Sequence, residues 1–258
     1  MQNTSYFTEL KRHLDENQID VFCINDIYTN FIDYNKRRLK RTIQNIVDLE
    51  YYEIEKGKFV RRTFRNEYVI GNFLTEDATI AYWSALNIHG LTEQFPNKIY
   101  IQTTKNKKNK EVLGINYQFI KVIPKKITGI INQGVGTNQI RITNIEKTII
   151  DCFDLVKYSG GFMELIRALK RTKLDAHKMI EYAKAIDNKA AIKRIAYLSE
   201  LFNKRELKSF IKYAKTHKSK NFDLLDIFGS EDGEYNSEWN LRLNIEPENL
   251  IEIANSIY

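Results

Sequence analysis

Apolar residues recur three and four positions apart from Ser5 to Glu16, where Tyr6, Phe7, Leu10 and Leu14 share one side, and this spacing predicts a first helix. A second short helix is predicted over Ile24 to Phe31, with Ile27, Tyr28 and Phe31 facing inward, and the chain turns over residues 32–35. The third helix, Asp33 to Leu49, has the clearest two-sided pattern. At about 100° per residue, Leu39, Ile43, Ile46 and Val47 gather into one stripe, and Asp33 stands where an N-cap is wanted. The β-prone runs Tyr51–Glu55 and Phe59–Arg62 then flank Lys56-Gly57-Lys58, a hairpin signal. Three helices and a hairpin in this order predict a winged helix-turn-helix over residues 1–66.

Residues 65–72 show no helical stripe and end in Gly-Asn, which places a domain junction there and a second domain over residues 73–258. Its pattern is mixed. Thr75-Glu76-Asp77 predicts the start of a helix running to His89-Gly90; strands are predicted over residues 98–103, 117–123 and 139–142. Thr143 and Glu146 have capping-box spacing at the head of another helix, which stops before Ser159-Gly160-Gly161. Helical periodicity then runs through residues 162–171, 175–186, 190–202 and 206–214. Residues 239–245 alternate like a strand, and Pro247 opens a terminal helix. The fold class is therefore α+β: an N-terminal winged helix-turn-helix and a larger domain with a small sheet and a helical region.

Charge sharpens this picture. Lys and Arg outnumber Asp and Glu by 40 to 33 in 258 residues, a net charge of +7, which favours a polyanionic partner. The cations crowd into the third helix. Its outward side and its flanks carry Tyr34, Lys36, Arg37, Arg38, Lys40, Arg41, Gln44 and Asn45. That set combines phosphate-neutralising charges with side chains able to make paired hydrogen bonds, Arg to guanine and Asn or Gln to adenine. Lys56, Lys58, Arg61 and Arg62 on the hairpin stand where a wing meets the sugar-phosphate backbone. All twelve residues are candidate contacts to double-stranded DNA. Lys105-Asn106-Lys107-Lys108-Asn109-Lys110 forms a separate basic run, read as a solvated loop, with contact to DNA flanking the main site as the alternative.

Catalytic and metal chemistry find little support in the pattern. The two cysteines, Cys23 and Cys152, lie far apart, and His13, His89, His177 and His217 have no partner at ligand spacing, so no metal site is assigned. Phosphate-loop and nucleophile-elbow motifs do not occur. The pairs Asp151 with Asp154 and Asp223 with Asp226 suit Mg²⁺ in principle but come with no nucleophile. No catalytic residue, no cofactor and no enzymatic activity are expected. No stretch of about eighteen uncharged apolar residues occurs, so neither a membrane span nor a secretory route is predicted, and the cytoplasm is the expected compartment.

The predicted winged helix, the block Thr143-Asn144-Ile145-Glu146-Lys147-Thr148-Ile149-Ile150-Asp151-Cys152, the motif Tyr158-Ser159-Gly160-Gly161 and the late Trp239-Asn240-Leu241-Arg242-Leu243-Asn244 together resemble the AbiEi antitoxins of type IV toxin-antitoxin and abortive-infection systems. The likeness spans nearly the whole chain. It implies a bacterial transcriptional repressor, active in phage defence, that binds repeats in its own promoter through the winged helix. It further implies a C-terminal domain that supports repression and counters a cognate nucleotidyltransferase-like toxin, with or without direct contact. No catalytic residue is carried over, and the oligomeric state stays open, monomers binding the repeats cooperatively being one arrangement. The alternative is a winged-helix regulator whose C-terminal domain senses another ligand or partner. A third reading is a DNA-directed enzyme using Asp223 or Asp226 with Mg²⁺.

Overall fold

Leu10 and Leu14 are each 1% exposed, so the stripe predicted for the first helix is the one that folds inward. In the computed structural model, which describes residues 5–256, α1 spans Tyr6–Glu16 and Ser5 caps it by accepting from the Thr8 amide. There follow β1 (Val21–Cys23), α2 (Ile24–Asn30), α3 (Lys36–Glu50), β2 (Tyr51–Glu55) and β3 (Lys58–Arg61). The strands form a three-stranded antiparallel sheet in the order β1-β3-β2. Gly57 turns the β2–β3 hairpin at φ +73, a left-handed conformation that costs glycine little. Leu39, Ile43 and Ile46 of α3 pack on Leu10, Leu14, Phe22, Ile27, Tyr51 and Phe59 as one core.

The start of α3 differs from the prediction. Asn35 rather than Asp33 is the N-cap, and its side chain accepts from the amides of Arg37 and Arg38, each at 3.1 Å. The reason lies in an aromatic cluster. The Tyr34 ring sits 4.4 Å from that of Tyr6 and 5.1 Å from that of Phe31, which holds the chain out of the helix until Asn35. Tyr34 therefore belongs to the turn before α3 and is half-buried, not on the helix's outer face as expected.

Beyond the hairpin the segment expected to be an irregular junction is α4 (Glu67–Phe73). Asn66 caps it, and Val69 and Ile70 are buried, a stripe too short for periodicity to register. The helix predicted from Thr75 does not begin there. Asp77 instead accepts from the Thr103 hydroxyl and, at 2.6 Å each, from the amide and hydroxyl of Thr104. Burial works against the ionised form, but these bonds hold its carboxyl down at about 2, so Asp77 fastens a loop rather than heading a helix. β4 (Thr79–Ile80) and α5 (Tyr82–Ile88) follow.

The larger sheet has six strands in the order β6-β7-β5-β4-β9-β8, drawn from β5 (Ile99–Thr103), β6 (Lys110–Val112), β7 (Ile115–Lys121), β8 (Ile130–Gln133) and β9 (Ile140–Thr143) as well as β4. β5 runs parallel to β7 and β4 to β9; the other pairings are antiparallel. Against it stand α6 (Ile145–Asp154), α7 (Phe162–Arg171), α8 (Ala176–Ile186), α9 (Lys189–Leu201) and α10 (Lys208–His217). A small sheet of β10 (Asp223–Leu224), β11 (Glu234–Asn236) and β12 (Leu241–Leu243) and the terminal α11 (Pro247–Asn255) complete the chain. At α6 the cap is Asn144, one residue later than expected. Thr143 stays in β9 with its hydroxyl on Thr148, and Glu146 accepts from the Asp175 amide instead. The fold is mixed α+β.

Two apolar side chains tie the hairpin to the larger sheet. Ile54 of β2 and Val60 of β3 are 5% and 0% exposed, and they pack with Ile70, Leu74, Ile80, Ile101, Tyr117 and Ile142. The chain around residue 66 is therefore a boundary in sequence but not in packing.

Candidate nucleic-acid interface

The outer side of α3 gathers the basic residues that the helix stripe leaves over. Lys36, Arg37, Arg38, Lys40, Arg41, Gln44 and Asn45 are all exposed, whereas Leu39, Ile43 and Ile46 are buried to within 2%. At about 100° per residue Arg37, Arg41, Gln44 and Asp48 fall along the ridge farthest from the core, with Lys40 on one flank and Arg38 and Asn45 on the other. Among the described residues no ion pair is recorded for any of these five cations, so their charge faces solvent. Arg38 lies with its guanidinium 5.1 Å from the Tyr6 ring centroid, which orients it without neutralising it. Gln44 donates to Asp48 at 2.8 Å. The cationic half of α3 is thus its N-terminal half, where the helix dipole adds positive potential.

The hairpin cations behave otherwise. Lys58 donates to the Phe73 carbonyl at 2.7 Å and lies over the Phe73 ring. Arg61 is the hub of an ion cluster, 3.0 Å from Asp15, 3.1 Å from Asp20 and 3.6 Å from Glu50, with Lys11 also bound to Asp15 and Glu50. Burial opposes ionisation of Asp15, but the Arg61 hydrogen bond and the Lys11 charge hold its carboxyl below the usual range. Arg62 donates to the Asp48 carbonyl at 3.3 Å and stacks 4.2 Å over Tyr52. Of the four, only Lys56 has no partner among the described residues and stands exposed at the tip. Three of the four expected wing contacts are therefore spent on bracing the hairpin against α1, α3 and α4. Sequence spacing places cations on a hairpin; it does not show which of its faces the rest of the chain will cover.

The comparisons bear on the fold alone. No protein-family model matches the chain, and no curated protein matches it. Among solved structures it is similar to the crystal structure of RV2827C protein from Mycobacterium tuberculosis, with a TM-score of 0.64 over 98% of this chain and 96% of that one at 10% sequence identity. A likeness this distant in sequence extends to the architecture, and it spans both the helical N-terminus and the larger sheet.

The acidic pairs that suggested Mg²⁺ are engaged elsewhere. Asp151 is ion-paired with Lys147, Asp154 takes Lys126 at 2.7 Å and Asn188 at 2.8 Å, and Asp223 takes Lys193 at 2.6 Å. Asp226 accepts from the Phe228 amide. His89 is lodged on the Thr143 carbonyl at 2.7 Å, and burial lowers its pKa. Among the described residues no three His, Cys, Asp or Glu side chains converge as a metal would need, and no helix is long and apolar enough to cross a membrane. Sequence reasoning missed Tyr6 and Asn35, which fix the entry to α3 through the Asn35 cap and the Tyr6 ring. The Asn35-x-Arg37 spacing was available as a cap signal but competed with Asp33.

Proposed function

We propose that residues 5–66 act as a winged helix-turn-helix that binds duplex DNA through α3, and that the chain is a DNA-binding repressor of its own operon. One observation supports the DNA-binding part of the reading, seven polar or cationic side chains of α3 exposed on one side of a helix whose other side is packed, while repression of its own operon is what the resemblance to the AbiEi antitoxins implies. The contact set narrows to Lys36, Arg37, Arg38, Lys40, Arg41, Gln44 and Asn45, with Lys56 at the hairpin tip. In this reading the hairpin supports the helix more than it grips the backbone. The resemblance to AbiEi antitoxins extends the proposal to an antitoxin role against a nucleotidyltransferase-like toxin, for which co-expression with the neighbouring gene product, scored by growth, is the test.

Binding of the full chain to its promoter duplex, titrated at increasing salt, is expected to show a log-log slope for about four to six neutralised phosphates, near −4 to −5. The measurement is fluorescence anisotropy from about 50 to 200 mM salt. A slope near zero, or binding that a single-stranded oligonucleotide reproduces, would remove duplex recognition by α3.

A further inference from the structure

The small sheet β10-β12-β11 has two unlike faces. Leu225 and Leu241, each 0% exposed, turn inward to the helical core, with Leu243 half-buried beside them. Register sets the other face: Leu224 and Tyr235 both stand opposite Arg242 of β12, and Phe222, two residues before Leu224, shares their side. The rings of Phe222 and Tyr235 meet edge to face at 5.1 Å, and the Arg242 guanidinium lies 5.3 Å from the Tyr235 ring centroid. Phe222 and Tyr235 are nevertheless 44% and 63% exposed. A sheet face turned to water carries polar side chains as a rule, so an exposed aromatic pair is the mark of a contact surface.

The charge around that face is one-sided. Residues 221–256 carry nine carboxylates and a single cation, Arg242, in a chain whose net charge is +7. The cations of the preceding helices are already engaged: Lys193 pairs with Asp223 at 2.6 Å, Arg194 donates to the Leu224 carbonyl, and Lys215 pairs with Glu238 at 2.6 Å. Lys218 donates to the Glu238 carbonyl, which leaves Lys220, two residues before Phe222, exposed. Glu231, Asp232 and Glu234 are exposed and have no ion pair among the described residues. Asn244 ties the turn that precedes them to the end of β12, accepting from the Asp226 amide and donating to the Asp226 and Ser230 carbonyls at 2.8 Å each.

Aromatic rings beside free carboxylates are what an arginine-rich surface takes, because guanidinium groups stack on ring faces and pair with carboxylates in a planar fork. The molecule already lays a guanidinium on a tyrosine within its own fold, Arg38 on Tyr6, Arg62 on Tyr52 and Arg242 on Tyr235. It also carries an arginine-rich face with open charge. On the outer side of α3, Arg37, Arg38 and Arg41 stand exposed, with no carboxylate between Lys36 and Val47. Among the described residues no hydrogen bond or ion pair joins α3 to residues 221–256, so the two faces do not satisfy each other within one molecule.

We propose that the outer face of the β10-β12-β11 sheet, with Phe222, Tyr235, Glu231, Asp232 and Glu234, docks the cationic face of α3 of a second copy of this chain. Each copy carries both halves of the contact, so two copies can close as a pair in which each α3 lies on the other's sheet. The contact is small and charged, at the low end of specific interfaces, and is therefore weak, reversible and screened by salt. It uses the charge of α3 and not the reading of α3 as a DNA-binding helix. Where both hold, a duplex and a second copy compete for the same arginines.

Sedimentation velocity of the native full chain is expected to give a weight-average sedimentation coefficient that rises with protein concentration at about 50 mM salt and no longer does so at about 500 mM. Tyr235→Ala, which removes one stacking ring, is expected to raise the dissociation constant about two- to fivefold. Two charge reversals make the sharper comparison. E231K/E234K and R37E/R41E are each expected to stay monomeric alone and to associate when mixed in equal amounts, because each supplies the face that the other still fits. A native chain that stays monomeric at low salt, association that survives high salt, or a mixture that stays monomeric overturns the proposal. So does self-association of either reversed variant at native strength. Thermal midpoints equal to the native one are expected from the exposure of all four reversed positions, and show that folded proteins are being compared. The two readings fail separately: a chain that pairs but binds no duplex keeps this contact and loses the DNA reading, and one that binds duplex but does not pair does the reverse.

Discussion

Lys147→Met lowers the stability of the folded chain by about 3–5 kcal/mol, because it leaves a carboxylate buried without its counter-charge. The Lys147 ammonium is wholly inaccessible and is paired, one helical turn along α6, with Asp151, itself 2% exposed. The second oxygen of Asp151, Oδ2, has no hydrogen-bond partner among the described residues. Burial pushes the Asp151 carboxyl up to about 6, with Lys147 and Lys126 pulling it back and Asp154 adding to the rise. The sign follows from linkage. An unfolded Asp titrates near 3.9, so between about pH 4 and 6 the folded state holds the extra proton, and the stability from this group falls as pH rises through that window.

Without Lys147 the carboxyl has less reason to ionise, so the variant is least harmed where Asp151 can keep its proton. Urea midpoints are therefore expected to separate more at pH 8 than at pH 5. Lys147→Met with Asp151→Leu removes both charges and is expected to recover most of the loss, since an apolar pair of similar volume replaces an ion pair at little or no net cost. If the double replacement unfolds as easily as the single one, loss of shape rather than of charge balance is the cause, and the argument from the ion pair fails.

The second large effect concerns α3. Arg41→Ala and Gln44→Ala are each expected to weaken the preferred duplex by about 1–3 kcal/mol and to flatten the preference among sequences, as the loss of a paired base contact does. Lys40→Ala, on the flank of the same helix, is expected to weaken all duplexes alike and to make the salt slope shallower by about one. Gln44 is at present bonded to Asp48 at 2.8 Å, so reading a base with it means giving up that bond, and Gln44→Ala should sit toward the lower end of the range. Anisotropy with the native site and with single base-pair variants separates the two classes of effect. Identical behaviour of Arg41→Ala and Lys40→Ala would dissolve the division into base readers and backbone contacts.

Periodicity was enough to reveal the helices whose packing is one-sided. Leu39, Ile43, Ile46 and Val47 announce α3, and α7 occupies the predicted residues, Phe162–Arg171. Elements held by few buried side chains escaped it. β8 has one half-buried residue and three exposed ones, and β4 is two residues long, so neither leaves an alternating trace. The caps at Asn35 and Asn144 each lay two or one positions from an equally good candidate, and tertiary contacts of Tyr34 and Thr143 made the choice. The helix face of the candidate site was legible because it is a local property of one segment. The hairpin was not, since what occupies Lys58 and Arg61 comes from α1, the β1 approach and α4.

Ile54 and Val60 give this chain a constraint that its linear order conceals. A cut near residue 66 would hand the first fragment two greasy side chains with nothing to cover them and leave the second with a matching hollow beside Ile70 and Tyr117. The N-terminal unit is accordingly no cassette to be shuffled onto other bodies, and calorimetry is expected to show the two parts melting in one transition.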